Sequence, residues 1–103
     1  MNARIGIPSD AIVDLCNRWR VLELALFGSV LRDDFGPESD VDVLVRFESG
    51  ARHTLLDIVQ MQEELSATLG RKADLVERTA VEQSANYIRR RAILQSAETI
   101  YAA

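Results

Sequence analysis

Val21-Leu22-Glu23-Leu24-Ala25-Leu26-Phe27-Gly28-Ser29, followed after ten residues by Asp40-Val41-Asp42-Val43-Leu44-Val45, is the stretch that decides the fold. Its second half alternates with period two and is rich in β-branched residues, which predicts a strand. Residues i and i+2 of a strand lie about 6.7 Å apart on one face, so Asp40 and Asp42 share a side opposite Val41 and Val43. Two like charges repel by about 4 kcal/mol at 4 Å in an effective dielectric near 20, a cost without purpose on a purely structural face. A divalent cation removes the objection.

Lys72-Ala73-Asp74-Leu75-Val76-Glu77 is a second short apolar run, and Asp74 within it is the candidate third carboxylate. If that strand lies beside the first, the three aspartates form an oxygen-rich site suited to Mg²⁺. Two such ions, roughly 3.5 to 4 Å apart, would clamp the attacking and leaving oxygens of an in-line displacement. Gly28-Ser29 offers the other half of the chemistry. A glycine after a strand allows close backbone approach to a ligand, and a helix start presents free N–H groups and a positive dipole end to phosphate. The Ser29 hydroxyl adds a donor, while Arg32 can either reach a phosphate oxygen or stay solvated. The loop from Asp33 to Ser39 is rich in turn formers and returns the chain to the aspartates.

The segment from Leu26 to Val45 resembles the minimal nucleotidyltransferases, small members of the DNA polymerase β superfamily, and Asp74 fits their third acidic position. The resemblance extends loosely over almost the whole chain. It implies an α+β nucleotidyltransferase fold, a small mixed β-sheet covered by helices. Carried over residue by residue, it implies that Gly28 and Ser29, with Arg32 and Ser39 beside them, bind the nucleotide triphosphate. Asp40 and Asp42 would hold metal, and Asp74 would complete the metal site and help activate the attacking hydroxyl. Catalytic and metal-binding roles thus fall on the same three aspartates, with Mg²⁺ as cofactor, two ions in all.

The resemblance further implies transfer of AMP from ATP to a hydroxyl, with release of pyrophosphate. Larger relatives carry an extra helical domain that grips the base or acceptor, and this chain has no room for one. Relatives of this size often serve as the antitoxin of a toxin–antitoxin pair with a HEPN-domain RNase, which makes that protein the expected acceptor. The competing expectation is a non-catalytic antitoxin that neutralises its toxin by contact. A fragment of a polynucleotide or aminoglycoside nucleotidyltransferase is a third. An intact acidic triad favours the enzyme.

Composition bounds the alternatives. The 103 residues suit a single domain spanning 1–103, and 48% hydrophobic with 27% charged residues is ordinary for a soluble globule. No apolar run approaches the roughly 18 residues of a membrane span, and no signal-peptide pattern begins the chain, so a cytoplasmic address is expected. A net charge of −4 argues against indiscriminate duplex binding. Homo- or hetero-oligomers are both compatible with these bounds. Cys16 is the sole cysteine and is read as a small core residue, while His53 is read as solvated.

The remaining elements follow from caps and periodicity. A first helix is expected from near Ser9, with Ile12, Leu15, Cys16 and Trp19 at helical spacing. Thr54 and Asp57 resemble a capping box opening a helix striped by Leu55, Ile58, Val59, Leu65 and Leu69 and ended by Gly70. Thr79 and Glu82 form a second capping box, predicting a last helix to about Ala97. Thr99-Ile100-Tyr101 is read as a short edge strand. On that last helix Arg89-Arg90-Arg91 is read as a solvated face toward the C-terminus, with a partner's acidic surface or RNA phosphates as the sharper alternative.

Overall fold

Period-two burial dictates the sheet. In the computed structural model, which describes residues 6–31, 36 and 39–103, β1 (Val21–Phe27) and β2 (Val41–Phe47) run antiparallel, with Leu26 opposite Val43 and Phe27 opposite Asp42. A parallel strand, β3 (Ala73–Glu77), flanks β2, and an antiparallel one, β4 (Glu98–Ala102), flanks β1, giving the order β3-β2-β1-β4. The expected mixed sheet and edge strand are both present.

The two faces of the sheet bury different partners. Leu24, Leu26, Val41, Val43, Val45 and Ala73 pack against α1 (Ser9–Arg18) and α2 (Leu55–Leu69) in the larger core. Ala25, Phe27 and Leu44 face the other way, onto Val81 of α3 (Arg78–Glu82) and Ile93 of α4 (Tyr87–Ser96). A parallel pair cannot be joined by a hairpin, so α2 serves as the crossover between β2 and β3.

α1 begins at Ser9 as the sequence predicts, and Cys16 is fully buried, its thiol pushed up to about 12 by desolvation. Arg20 adopts a φ of 56°, an uncommon conformation for a non-glycine residue, where the chain turns from α1 into β1. Its carbonyl accepts a 2.9 Å bond from the Glu48 N–H at the far end of β2. The capping box of α2 is complete: Thr54 Oγ1 accepts from the Asp57 N–H, and the Asp57 carboxylate accepts from the Thr54 N–H. Gly70 ends the helix at φ 72°, in the left-handed conformation that glycine adopts freely.

Four expectations need correction. The buried stripe of α2 is Met61, Leu65 and Leu69, whereas Leu55 and Val59 are exposed, because only the later turns of α2 lie over the sheet. His53 is half-buried rather than fully solvated. Its ring lies 4.4 Å from that of Phe47, and its Nε2 is 2.9 Å from the Trp19 carbonyl oxygen. The single last helix is two. β3 runs directly into α3, so Glu77 occupies the cap position and Thr79 lies inside the helix, with no side-chain cap bond. Asn86 then starts α4 by accepting the Arg89 N–H at 3.1 Å, the local side-chain bond through which Asn competes with helix continuation. Consequently the three arginines occupy the third to fifth positions of α4, near its N-terminus rather than its C-terminus.

The two capping assignments are separable by mutation. Asn86→Ala should cost about 1 kcal/mol in urea unfolding, the usual value of a lost N-cap, while Thr79→Ala should change stability by less than about 0.5 kcal/mol.

α1 and α2 are clasped by Glu64, which pairs with the Arg18 guanidinium and accepts a 3.0 Å bond from Trp19 Nε1. Arg18 first, and Trp19 second, hold the Glu64 carboxyl below its ordinary value of 4.5. A depressed folded-state pKa contributes stability above the unfolded value and loses it as pH falls through the folded one. Acid unfolding of Glu64→Gln should therefore be less steep than that of the native protein below about pH 4.5, as followed by circular dichroism.

Candidate active site

Asp42 is the second residue of β2 and Asp74 the second of β3, and the parallel register sets them directly beside each other. Neighbouring strands lie about 4.8 Å apart, so the two carboxylates leave the same face side by side. That face is the one carrying Leu44 and Phe27, away from α1 and α2. Asp40 precedes β2 by one residue, half-exposed, with its Oδ2 3.8 Å from Lys72 Nζ. Among the described residues, no group of three or more His, Cys, Asp or Glu side chains stands close enough together to hold a metal ion. The structure thus pairs two of the three predicted aspartates and directs Asp40 to a lysine that the sequence reading passed over.

Gly28 closes the site from the side of β1. Its φ is +77°, and a Cβ built there would meet Asp42 Oδ2 at 2.5 Å. A side chain here would be strained at that φ and would push the Asp42 carboxylate from its position. Gly28–Leu31 continues as a 3₁₀ helix of four residues. So short a helix has little macrodipole, and its contribution to anion binding rests on the individual N–H groups. Arg32 and the side chain of Ser29 lie outside the described residues.

Ser39 closes a turn. Its Oγ accepts the Gly36 N–H at 3.1 Å, and its own N–H donates to the Gly36 carbonyl at 3.1 Å. Arg71 Nη2 donates to that same carbonyl at 2.6 Å, which fastens the loop before Asp40 to the start of β3. Arg71 and Lys72, adjacent in sequence, thus hold the approach to both aspartate strands. No periodicity or motif marks that task.

A cavity of about 310 Å³ opens between this face and α4, lined by Gly28, Asp42 and Phe27 on one side and Arg89, Ala92 and Ser96 on the other. A larger groove of about 470 Å³, at the far end of β2, is lined by Arg46, Arg52 and His53 together with Glu48 and Glu77. It mixes both signs of charge and contains none of the aspartates.

The profile of the nucleotidyltransferase domain family matches residues 10–96. The chain belongs to that family. It is 38% identical over 68 residues to the protein adenylyltransferase MntA of Thermococcus cleftensis, covering 66% of this chain and 67% of the relative. A solved structure assigned to the minimal nucleotidyltransferases superposes with a TM-score of 0.66 at 32% identity, covering 87% of this chain and 86% of that one. A toxin–antitoxin crystal structure containing AMP-PNP superposes at TM-score 0.68 with 15% identity, covering 93% of this chain and 74% of that one. A complex of a tri-AMPylated HEPN toxin with its antitoxin from Shewanella oneidensis gives TM-score 0.60 at 18% identity, covering 92% and 70%. At such identities the last two establish the fold alone. The chain is an enzyme of the minimal nucleotidyltransferase class, with the α+β fold of that class. Among its described residues no helix is long and apolar enough to cross a membrane.

The Gly28 contact yields a direct test. Gly28→Ala should destabilise the fold by about 1–2 kcal/mol in urea unfolding, since an L-residue is strained at that φ. Nucleotidyl transfer should fall further than stability explains, because the new methyl group displaces the Asp42 carboxylate. Equal losses in Gly50→Ala, at φ 86° with nothing within 4 Å, would assign the effect to backbone strain alone.

Proposed function

We propose that this enzyme transfers AMP from ATP to a hydroxyl on a HEPN-type toxin and thereby acts as its antitoxin. The observation that carries the reading is the in-register pair Asp42–Asp74, with the Asp42 carboxylate close against Gly28. Two carboxylates side by side on one sheet face repel each other, a cation between them would relieve that repulsion, and their all-oxygen donor set fits Mg²⁺. In this reading Asp42 and Asp74, with Asp40, would hold Mg²⁺. The bound ions supply charge stabilisation at the phosphates.

The chain's own groups do the rest. The backbone at Gly28 and Ser29 approaches the triphosphate, with Arg32 as a further cation, and Ser39 and Arg71 keep the loop before Asp40 in place. Asp74 accepts the proton of the incoming hydroxyl as its oxygen bonds to the α-phosphorus. The bond from that phosphorus to the bridging oxygen breaks, and pyrophosphate leaves with the electron pair. A partner must bring the hydroxyl to within about 3 to 3.5 Å of the α-phosphorus. Support comes from the relative in Thermococcus cleftensis, a protein adenylyltransferase, and from the AMPylated toxin in the Shewanella oneidensis complex. AMP on the toxin would add negative charge beside an RNase site and repel RNA. In this reading the reaction takes place in the cytoplasm, on a single domain spanning residues 1–103.

Incubation with Mg²⁺, ATP and the co-encoded HEPN-type protein should add one or more AMP units to the latter, read by intact-mass spectrometry. EDTA should abolish the gain, and Asp42→Asn should reduce it by orders of magnitude while the protein stays folded. A toxin neutralised equally well by Asp42→Asn, without ever gaining mass, would identify inhibition by contact instead.

A further inference from the structure

The arginine run of α4 is not one patch but three separate side chains. Arg90 Nη1 donates to the Ser84 carbonyl at 3.1 Å, and its guanidinium lies 5.6 Å from the Tyr87 ring centre. Arg91 Nη1 is bonded to the Tyr87 hydroxyl at 3.2 Å. Both are occupied within their own helix and the turn before it. Arg89 differs. It lines the cavity opposite Gly28 and Asp42, and its guanidinium makes no hydrogen bond or ion pair with the described residues.

Arg89 is solvent-exposed, and no contact with the described residues fixes its guanidinium. It stands in the first turn of α4, where the helix dipole disfavours a cation. Small residues keep the space in front of it clear, because Ala92 and Ser96 follow on the same wall, three and seven residues on. Ser96 folds its hydroxyl back onto the Ala92 carbonyl at 2.7 Å, so that wall presents little bulk. What enters meets the Asp42 carboxylate on one side, through a cation, and the Arg89 guanidinium on the other. A polyphosphate running from the sheet toward α4 does both.

We propose that Arg89 is the cation that receives the β- and γ-phosphates of the bound nucleotide, a positioning and charge-stabilising role on the leaving group. This rests on the nucleotidyl-transfer reading above and adds a phosphate contact from the C-terminal part of the chain. Pyrophosphate carries away negative charge as the bond to the α-phosphorus breaks, and a guanidinium can grip it with two parallel N–H donors. AMP has no β- or γ-phosphate and should not sense Arg89.

The test compares Arg89→Gln, Arg89→Lys and the control Arg91→Gln by calorimetric titration with Mg²⁺ and ATP, AMP or pyrophosphate, together with transfer kinetics. Arg89→Gln is expected to weaken ATP and pyrophosphate binding by about ten- to a hundredfold and to leave AMP binding unchanged. Arg89→Lys should recover part of the loss, and Arg91→Gln should match the native protein. Native affinity for ATP and pyrophosphate in Arg89→Gln would overturn this assignment while leaving nucleotidyl transfer intact. A raised KM for the protein acceptor alone would also overturn it, by moving Arg89 to the acceptor side. If the native protein binds no ATP and transfers no AMP, the functional reading fails first and this one falls with it.

Discussion

The parallel register between β2 and β3 is the constraint on which everything else depends. Val41 pairs with Ala73 and Val43 with Leu75 on the face covered by α1 and α2, which forces Asp42 beside Asp74 on the other. A slip of one residue would drive a carboxylate into the main core and turn a valine outward, at a cost that the packing of Val41, Val43 and Val45 does not permit. The hydrophobic effect thus sets the geometry of the polar site. No interaction between the aspartates themselves favours their proximity, and burial on the reverse face imposes it. The same logic holds Gly28 in place, because Phe27, its strand neighbour, is packed into the second core.

Much of this was legible in the residues. Alternation in Asp40–Val45 assigned β2 and the side on which Asp42 lies, and Thr54 with Asp57 and Gly70 bounded α2 because caps are local chemistry. What escaped was non-local. Thr79 and Glu82 carry a valid capping pattern, yet the end of β3 leaves no room for a separate cap residue, so the strand overrides the motif. His53 reads as a loop residue until Trp19, distant in sequence, joins nearby Phe47 in closing around it. The Asp40–Lys72 pair and the Arg71 bond to Gly36 join segments more than thirty residues apart without any periodic signal. Arg89 is visible in the sequence only as one of three arginines, and its distinction comes from a break in the helix that Asn86 sets.

The two faces of the sheet are unequal in a way that suits their tasks. The α1–α2 side is sealed by fully buried aliphatic residues from Ile12 to Leu65 and clasped by the Arg18–Glu64–Trp19 network. The α3–α4 side has a smaller core and keeps a cavity at the strand ends. Its attachment includes a half-buried ion pair, Arg78 Nη1 to Glu23 Oε1 at 2.7 Å, which ties the first residue of α3 to β1. Stability is concentrated on one side, and space for a ligand is kept on the other.

The seating of β4 against β1 joins the earliest strand to the last. Leu24 pairs with Tyr101 and Glu23 with Ala102, so the central strand acquires its second neighbour only when residues 98–102 are available. Pairings of such long sequence separation form late, since the entropy of closing the intervening chain must be met first. α4 leads straight into β4 through Ala97, so the wall of the cavity is anchored by that same late event. A nascent chain that already contains Gly28, Asp42 and Asp74 would still lack its enclosing helix. Competence thereby waits on the synthesis of β4, and a chain truncated before it would expose an unpaired edge of β1 rather than an enclosed site.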